Sequence, residues 1–395
     1  MSSERKLHPS TIAVRTQTPR TAQMEHSTPL FLTSSFTFET AEAMRAAFAD
    51  ESDDNIYSRY SNPTVDEFAH KIALLEKCEA GFAVASGMAA VFNSFMALLK
   101  TGDHLLCCRS MFGGTNTVVT KFLGRFGIEF TMVDAEDIDN WEASIKPNTK
   151  MLYLETPTNP QLELIDLEKA GKLAKKHNLI YNVDNCFATP FLQTPADFGA
   201  DLVIHSATKW IDGQGRVLGG VIAGKKELID QVYLFCRNSG PTLSAFNAWV
   251  LTKSLETLEV RISRHSENAL KVALALEKNS QLEWVKYPFL PSHPQYEIAK
   301  KQMSAGGGIV CFEIKGGVEA GRKFMDALQL LSLTPNLGDS RSIASHPAST
   351  THSKLSDEER SKVGITPGLI RISVGLEHPD DVIYDIEQAL TKLNQ

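Results

Sequence analysis

Lys209 closes the run Ala200-Asp-Leu-Val-Ile-His-Ser-Ala-Thr-Lys209, and Asp184, 25 residues upstream, closes Leu179-Ile-Tyr-Asn-Val-Asp184. An amine can hold an aldehyde covalently, and a carboxylate can keep a pyridine nitrogen protonated and electron-withdrawing. Pyridoxal phosphate chemistry needs that pair. Alone, a Lys after a strand is usually solvated and an Asp there is usually a turn or cap residue. Here both follow short apolar runs that read as buried parallel strands. Both therefore belong at strand carboxyl ends, the edge of an open α/β sheet where ligands bind. Ser206 and Thr208 flank Ala207 and offer hydroxyls to a phosphate, and Gly213, Gly215, Gly219 and Gly220 let backbone approach a ligand closely.

Three further pieces are compatible with an anionic ligand. Ser86-Gly87-Met88 joins an apolar strand to a helix from Ala89 to Lys100, whose first N–H groups and dipole favour an anion. Tyr57-Ser-Arg59-Tyr60 puts a guanidinium and a phenol side by side. Arg371 stands against Ile370, Ile372 and Val374 in an alternating strand. It reads either as a residue of a solvated sheet face or as a bidentate clamp for a substrate carboxylate.

The elements that must position these residues follow from hydrophobic period. Residues 1–62 lack sustained periodicity and read as an arm that needs another surface to lie on. Thr64 and Glu67 match a capping box at the head of a helix with Val65, Phe68, Ile72 and Leu75 on its core face. From about 80 to 225 short apolar runs alternate with amphipathic helices, which predicts an α/β domain with a mostly parallel sheet over residues 63–260. A long helical stretch from about Ala245 to Lys278 leads into a smaller C-terminal α+β domain, 261–395. Its clearest strands are Gly308 to Ile314 and Leu369 to Val374.

The 395 residues, 43% hydrophobic and 22% charged, suffice for a large core and two domains. A net charge of −7 with no basic block argues against a nucleic-acid or anionic-membrane surface. The polar start and the lack of a long apolar run predict a cytoplasmic protein. Cys78, Cys107, Cys108, Cys186, Cys236 and Cys311 have no zinc-site spacing and read as reduced thiols, mostly buried. His346 and His352 fit no ligand pair, so no metal is expected.

The chain resembles the Cys/Met-metabolism family of fold type I pyridoxal-phosphate enzymes from Tyr57 to Gly375. The resemblance is carried by Tyr57-Ser-Arg-Tyr-Ser-Asn-Pro-Thr, Ser86-Gly-Met, Glu155-Thr-Pro-Thr-Asn-Pro160, Val183-Asp-Asn185, Ser206-Ala-Thr-Lys209, Pro291-Ser-His-Pro294, His346-Pro-Ala and Arg371-Ile-Ser-Val-Gly375. It implies that Lys209 holds the cofactor aldehyde, Asp184 pairs with the ring nitrogen, Asn159 lies near the ring oxygen and Arg371 binds the substrate carboxylate. Gly87, Met88, Ser206 and Thr208 would bind the phosphate, with Tyr57 and Arg59 joining from a neighbouring subunit. The family's usual assembly implies a homotetramer of two such dimers.

Departures from the family pattern narrow the expected reaction. Phe112 stands where most members have Tyr, so it can stack on the cofactor ring but cannot serve as acid or base. Methionine γ-lyases resemble one another in Tyr-Gly-Cys where this chain has Phe112-Gly113-Gly114. Asn336-Leu-Gly338 replaces the usual Ser-Leu-Gly. Arg341, two positions before Ile343, replaces a Glu of the cystathionine enzymes and suits a distal substrate carboxylate. The pattern implies replacement of the γ-acyloxy group of an O-acylated homoserine, succinyl above acetyl, by sulfide to give homocysteine. Cystathionine γ-synthesis with cysteine, γ-elimination, and a non-catalytic paralogue are the alternatives.

Overall fold

A computed structural model describes residues 7–350, 353, 356–362 and 364–394; His352 lies outside them. The first sheet contains β1 (Ala80–Val84), β2 (His104–Cys108), β3 (Glu129–Val133), β4 (Thr149–Glu155), β5 (Ile180–Asp184), β6 (Leu202–Ser206) and β7 (Gly220–Gly224). Their spatial order is β1-β7-β6-β5-β4-β2-β3, and only β7 runs against its neighbours. The second sheet contains β8 (Leu282–Lys286), β9 (Ile309–Ile314), β10 (Ser332–Leu333), β11 (Ile343–Ser345) and β12 (Leu369–Ser373) in the order β10-β11-β12-β9-β8, antiparallel except for the β10–β11 pair. The expected mostly parallel α/β sheet and the C-terminal α+β layer are both present.

Apolar runs set the register of the first sheet. Leu152, Leu154, Val183, Val203 and Ile204 are fully buried, and helices Gly87–Leu98 and Leu167–Lys176 belong to core clusters that include strand residues. Each such side chain contributes roughly 1.5–3 kcal/mol on burial. β7 differs from expectation, since Gly219 and Gly220 were read as part of a ligand loop. Val221, Ile222 and Ala223 form a central strand there, and small residues let it cross the Ser86–Gly87 turn. A Cβ on Gly220 would lie 2.1 Å from the Ser86 carbonyl oxygen.

Two local expectations are corrected. The helix Pro63–Leu75 is capped by Asn62, whose Oδ1 accepts from Thr64 N at 3.0 Å, with Pro63 at its first position. Thr64 and Glu67 turn to the arm instead, while Val65, Phe68, Ile72 and Leu75 are buried as expected. The stretch 245–278 is two helices, Ala245–Leu255 and Leu258–Leu276, the second running through the expected boundary at 260. The arm carries short helices Pro9–Arg15 and Ala41–Phe48, the first of which packs against helix Pro63–Leu75. Among the described residues, no helix is long and apolar enough to cross a membrane and no acid, His and Cys group could hold a metal.

Candidate active site

Four elements converge on a cavity of about 220 Å³. The turn Ser86–Gly87 begins helix Gly87–Leu98, capped by Ser86 Oγ accepting from Ala89 N at 3.1 Å. The first residues of that helix, Gly87 and Met88, line the cavity with Ser206 and Thr208, and the first N–H groups of a helix have no partner within it. Gly87 is required by contact as well as by sequence: a Cβ there would meet Ser206 Cβ at 2.5 Å. Thr208 Oγ1 accepts from Gly219 N at 3.1 Å, which ties the hydroxyl-bearing turn to the start of β7.

Lys209 follows β6 by three residues, and its Nζ donates to Asn336 Oδ1 at 2.6 Å. Among the described residues no carboxylate forms an ion pair with it. Burial lowers its pKa, and the nearby Arg371 charge adds to that effect. The backbone after Lys209 is held by Arg261, which donates to Trp210 O at 2.7 Å and Ile211 O at 3.1 Å. Gly213, at φ +69°, leaves room for that guanidinium. A lone Arg in an amphipathic helix gave no sign of this role in the sequence.

Asp184 ends β5 and accepts from Cys186 N at 3.0 Å. Burial pushes its carboxyl up to about 6, against the opposing pull of the Cys186 amide and the His205 charge. Glu155, its partner across the β4–β5 ladder, also lines the cavity and accepts from Phe112 N at 2.8 Å. Burial first and the Asp184 charge second hold Glu155 well above the ordinary carboxylate range. Glu155 appears in the motif that carries the resemblance, but the sequence gave it no individual role. Phe112 and Met88 line the cavity, and Phe112 is 46% exposed.

Arg371 sits in β12, buried rather than on a solvated face. Its guanidinium donates to Asn159 Oδ1 at 3.0 Å, Asn336 O at 3.2 Å and Pro335 O at 3.3 Å. Its Nε is buried without a partner, while Nη2 already donates to both carbonyls, so a substrate carboxylate would have to reach Nε and replace one of these long bonds. A buried cation with an unpartnered Nε, a buried amine with no carboxylate on it, a carboxyl at a strand end and a helix N-terminus with two hydroxyls fit the four polar parts of pyridoxal phosphate and its amino-acid substrate.

The remaining expected residues lie elsewhere. Tyr57 and Arg59 do not line this cavity; Arg59 stacks over Tyr60 at 4.9 Å and donates to Arg237 O. Arg341 is mostly exposed, bonds Asp339 through Nε at 2.9 Å and Nη2 at 3.0 Å, and does not line the cavity. The Asp339 carboxylate fills the fork that a substrate carboxylate would need. Cys107 and Cys108 are buried residues of β2 itself, their thiols pushed up by burial, and all six cysteines are free.

Fold and site together define a pyridoxal-phosphate enzyme acting on an amino acid. The sequence model described as Cys/Met metabolism PLP-dependent enzyme matches residues 10–391, and the chain belongs to that family. It is 48% identical over 383 residues to an O-succinylhomoserine sulfhydrylase of Pseudomonas aeruginosa, covering 97% of this chain and 95% of that one. It is 43% identical to an L-methionine gamma-lyase of Pseudomonas putida, covering 92% of each. A Campylobacter jejuni structure assigned as an O-acetylhomoserine (thiol)-lyase, with a pyridoxyl-lysine phosphate, superposes with TM-score 0.94 at 37% identity, covering 98% of this chain and all of that one.

Proposed function

We propose that this chain replaces the γ-acyloxy group of O-succinylhomoserine with sulfide, forming homocysteine and succinate. Support comes chiefly from its full-length likeness to an O-succinylhomoserine sulfhydrylase, combined with the convergence of Lys209, Asp184 and Arg371 in one cavity. Bound pyridoxal phosphate supplies an electron sink for charge developing at Cα and Cβ. Arg371 orients the α-carboxylate, and Asp184 keeps the ring nitrogen charged. Phe112 would stack on the ring without offering a proton, so proton transfer falls to Lys209. Its burial-lowered pKa favours the neutral amine that a base requires. Lys209 takes the α-proton, releases it to solvent, and as a neutral amine again takes a β-proton. Succinate leaves Cγ with the C–O electron pair, hydrosulfide bonds to Cγ, and protons return to Cβ and Cα. Asn336 Oδ1 holds the amine within reach between these transfers.

The γ-lyase reading is less favoured because Gly114 stands where the γ-lyase pattern has Cys. A Cβ there would lie 2.7 Å from Phe112 Cε1 and 2.9 Å from Met88 Sδ, so a cysteine at 114 would displace the ring. Arg341, outside the cavity lining, would favour the succinyl group only when its Asp339 pair opens. Tyr57 and Arg59 would complete the phosphate site of a second copy within a homotetramer, in keeping with their position outside the cavity of their own chain. The discriminating experiment is a steady-state comparison of sulfide with cysteine on O-succinylhomoserine. Higher kcat/KM with sulfide is expected; higher kcat/KM with cysteine would reassign the enzyme as a cystathionine γ-synthase.

A further inference from the structure

Helix Pro63–Leu75 carries a second, polar face under the arm. Thr64, Glu67 and Lys71 follow one another at the helical i, i+3, i+7 spacing and are all buried. Glu67 Oε2 accepts from Thr18 N at 2.7 Å, and its Oε1 accepts from Thr28 Oγ1 at 2.7 Å. Lys71 Nζ is 3.4 Å from the same Oε1, and both side chains are 1% exposed. Thr64 Oγ1 accepts from Phe31 N at 2.9 Å, and Asn62 Nδ2 donates to Phe31 O at 3.0 Å. Across the groove, Trp249 Nε1 donates to Thr28 O at 3.0 Å. The arm is therefore held over residues 18–31 mainly by a buried charge and its hydrogen bonds, while Met24 and Leu32 stay exposed.

This anchorage is connected to Arg59. Segment 33–36 pairs with 56–58 through Ser58 N to Ser34 O at 2.9 Å, Phe36 N to Ile56 O at 3.2 Å and the Ser35–Tyr57 bridge. Asn62 Nδ2 also donates to Ser58 Oγ at 3.0 Å. The Tyr57–Arg59 turn thus rests on a strand whose preceding residues are fixed by Glu67. A buried carboxylate with three donors is costly to leave half-satisfied, so the network acts as one unit.

We propose that Glu67, paired with Lys71, is a positioning residue that fixes the course of the arm and thereby the presentation of Tyr57 and Arg59 to the neighbouring copy's cofactor phosphate. This rests on the reading that Arg59 serves a second copy's site. The test uses the purified oligomeric enzyme with Glu67→Gln, Thr28→Val and Arg59→Ala variants. The readouts are amide hydrogen exchange over residues 18–36 and the dissociation constant for pyridoxal phosphate added to the apoenzyme. Thr28→Val removes a single donor, which keeps the question answerable if Glu67→Gln fails to fold.

Loss of one hydrogen bond to a buried charge should speed exchange in the arm about tenfold or more and weaken cofactor binding several-fold in both arm variants. Unchanged cofactor binding in the arm variants, with weakened binding in Arg59→Ala, overturns the proposal and leaves the Arg59 reading standing. Weakened cofactor binding with unaltered arm exchange also overturns it, because the effect would then bypass the arm. Unchanged binding in Arg59→Ala overturns the reading, and the proposal with it. A Glu67→Gln/Lys71→Met double variant, which removes both buried charges, should recover part of the lost protection.

Discussion

Arg371→Ala removes a buried guanidinium with one unpartnered N–H, and its effect can be worked from the contacts. Nε has no partner and Nη2 makes only long bonds, at 3.2 and 3.3 Å, to Asn336 O and Pro335 O, so a carboxylate that reaches Nε and replaces one of these bonds gains two charge-assisted contacts. Two charge-assisted hydrogen bonds at roughly 1.5–3 kcal/mol each amount to about 3–6 kcal/mol. That corresponds to a roughly 10²- to 10⁴-fold fall in kcat/KM. Arg371→Lys keeps the charge but loses the planar fork, and should fall between wild type and Ala. The substitution also strips Asn159 Oδ1 of its donor, so part of any loss is structural. The α-amide of O-succinylhomoserine separates the two components, because it cannot form the ion pair in either protein. The account requires a large loss on the free carboxylate and a small one on the amide. Equal losses on both substrates would refute the clamp.

Lys209→Ala should abolish turnover and change the visible absorption of bound cofactor while leaving the melting temperature within a few degrees; near-normal activity would remove its role as proton carrier. Asp184 titrates near 6 when the ring nitrogen is not on it, protonated below and ionised above. Apoenzyme should therefore bind pyridoxal phosphate more weakly as pH falls through about 6, and Asp184→Asn should lose that dependence; identical profiles would count against the pairing. Gly114→Cys should push the Phe112 ring aside and destabilise the holoenzyme by about 1–3 kcal/mol, read as a lowered melting temperature. Arg341→Ala should reduce kcat/KM for O-succinylhomoserine several-fold and spare the O-acetyl substrate, and a matching loss on both would make Arg341 structural.

The cavity residues were legible where chemistry restricts residue type. Lys209, Asp184, Gly87, Ser206 and Thr208 stand at strand ends or a strand-to-helix turn, and the period-2 and period-3.6 patterns located those ends to within a residue or two. Arg371 was recognisable as a candidate but not as buried, because alternation fixes which face a residue occupies and not what covers that face. The cover is the loop carrying Pro335 and Asn336, a long-range contact with no local signal. β7 was missed because Gly219 and Gly220 look like loop residues unless the crossing at Ser86 is known. The capping box failed for a related reason. Thr64 and Glu67 have the right spacing, but the arm needs both side chains and Asn62 is free to cap. Arg261 acts on carbonyls that only the fold brings to it.

The reaction in deuterium oxide tests the central claim most directly. Purified holoenzyme with O-succinylhomoserine and sulfide should yield one succinate per homocysteine. The homocysteine should carry deuterium at both Cα and Cβ, since Lys209 exchanges its protons with solvent between removing and returning them. Homocysteine without deuterium at Cβ would mean direct displacement at Cγ and no proton transfer by Lys209 at that carbon. A keto acid and ammonia as main products in the presence of sulfide would mean that the enzyme eliminates instead of replacing.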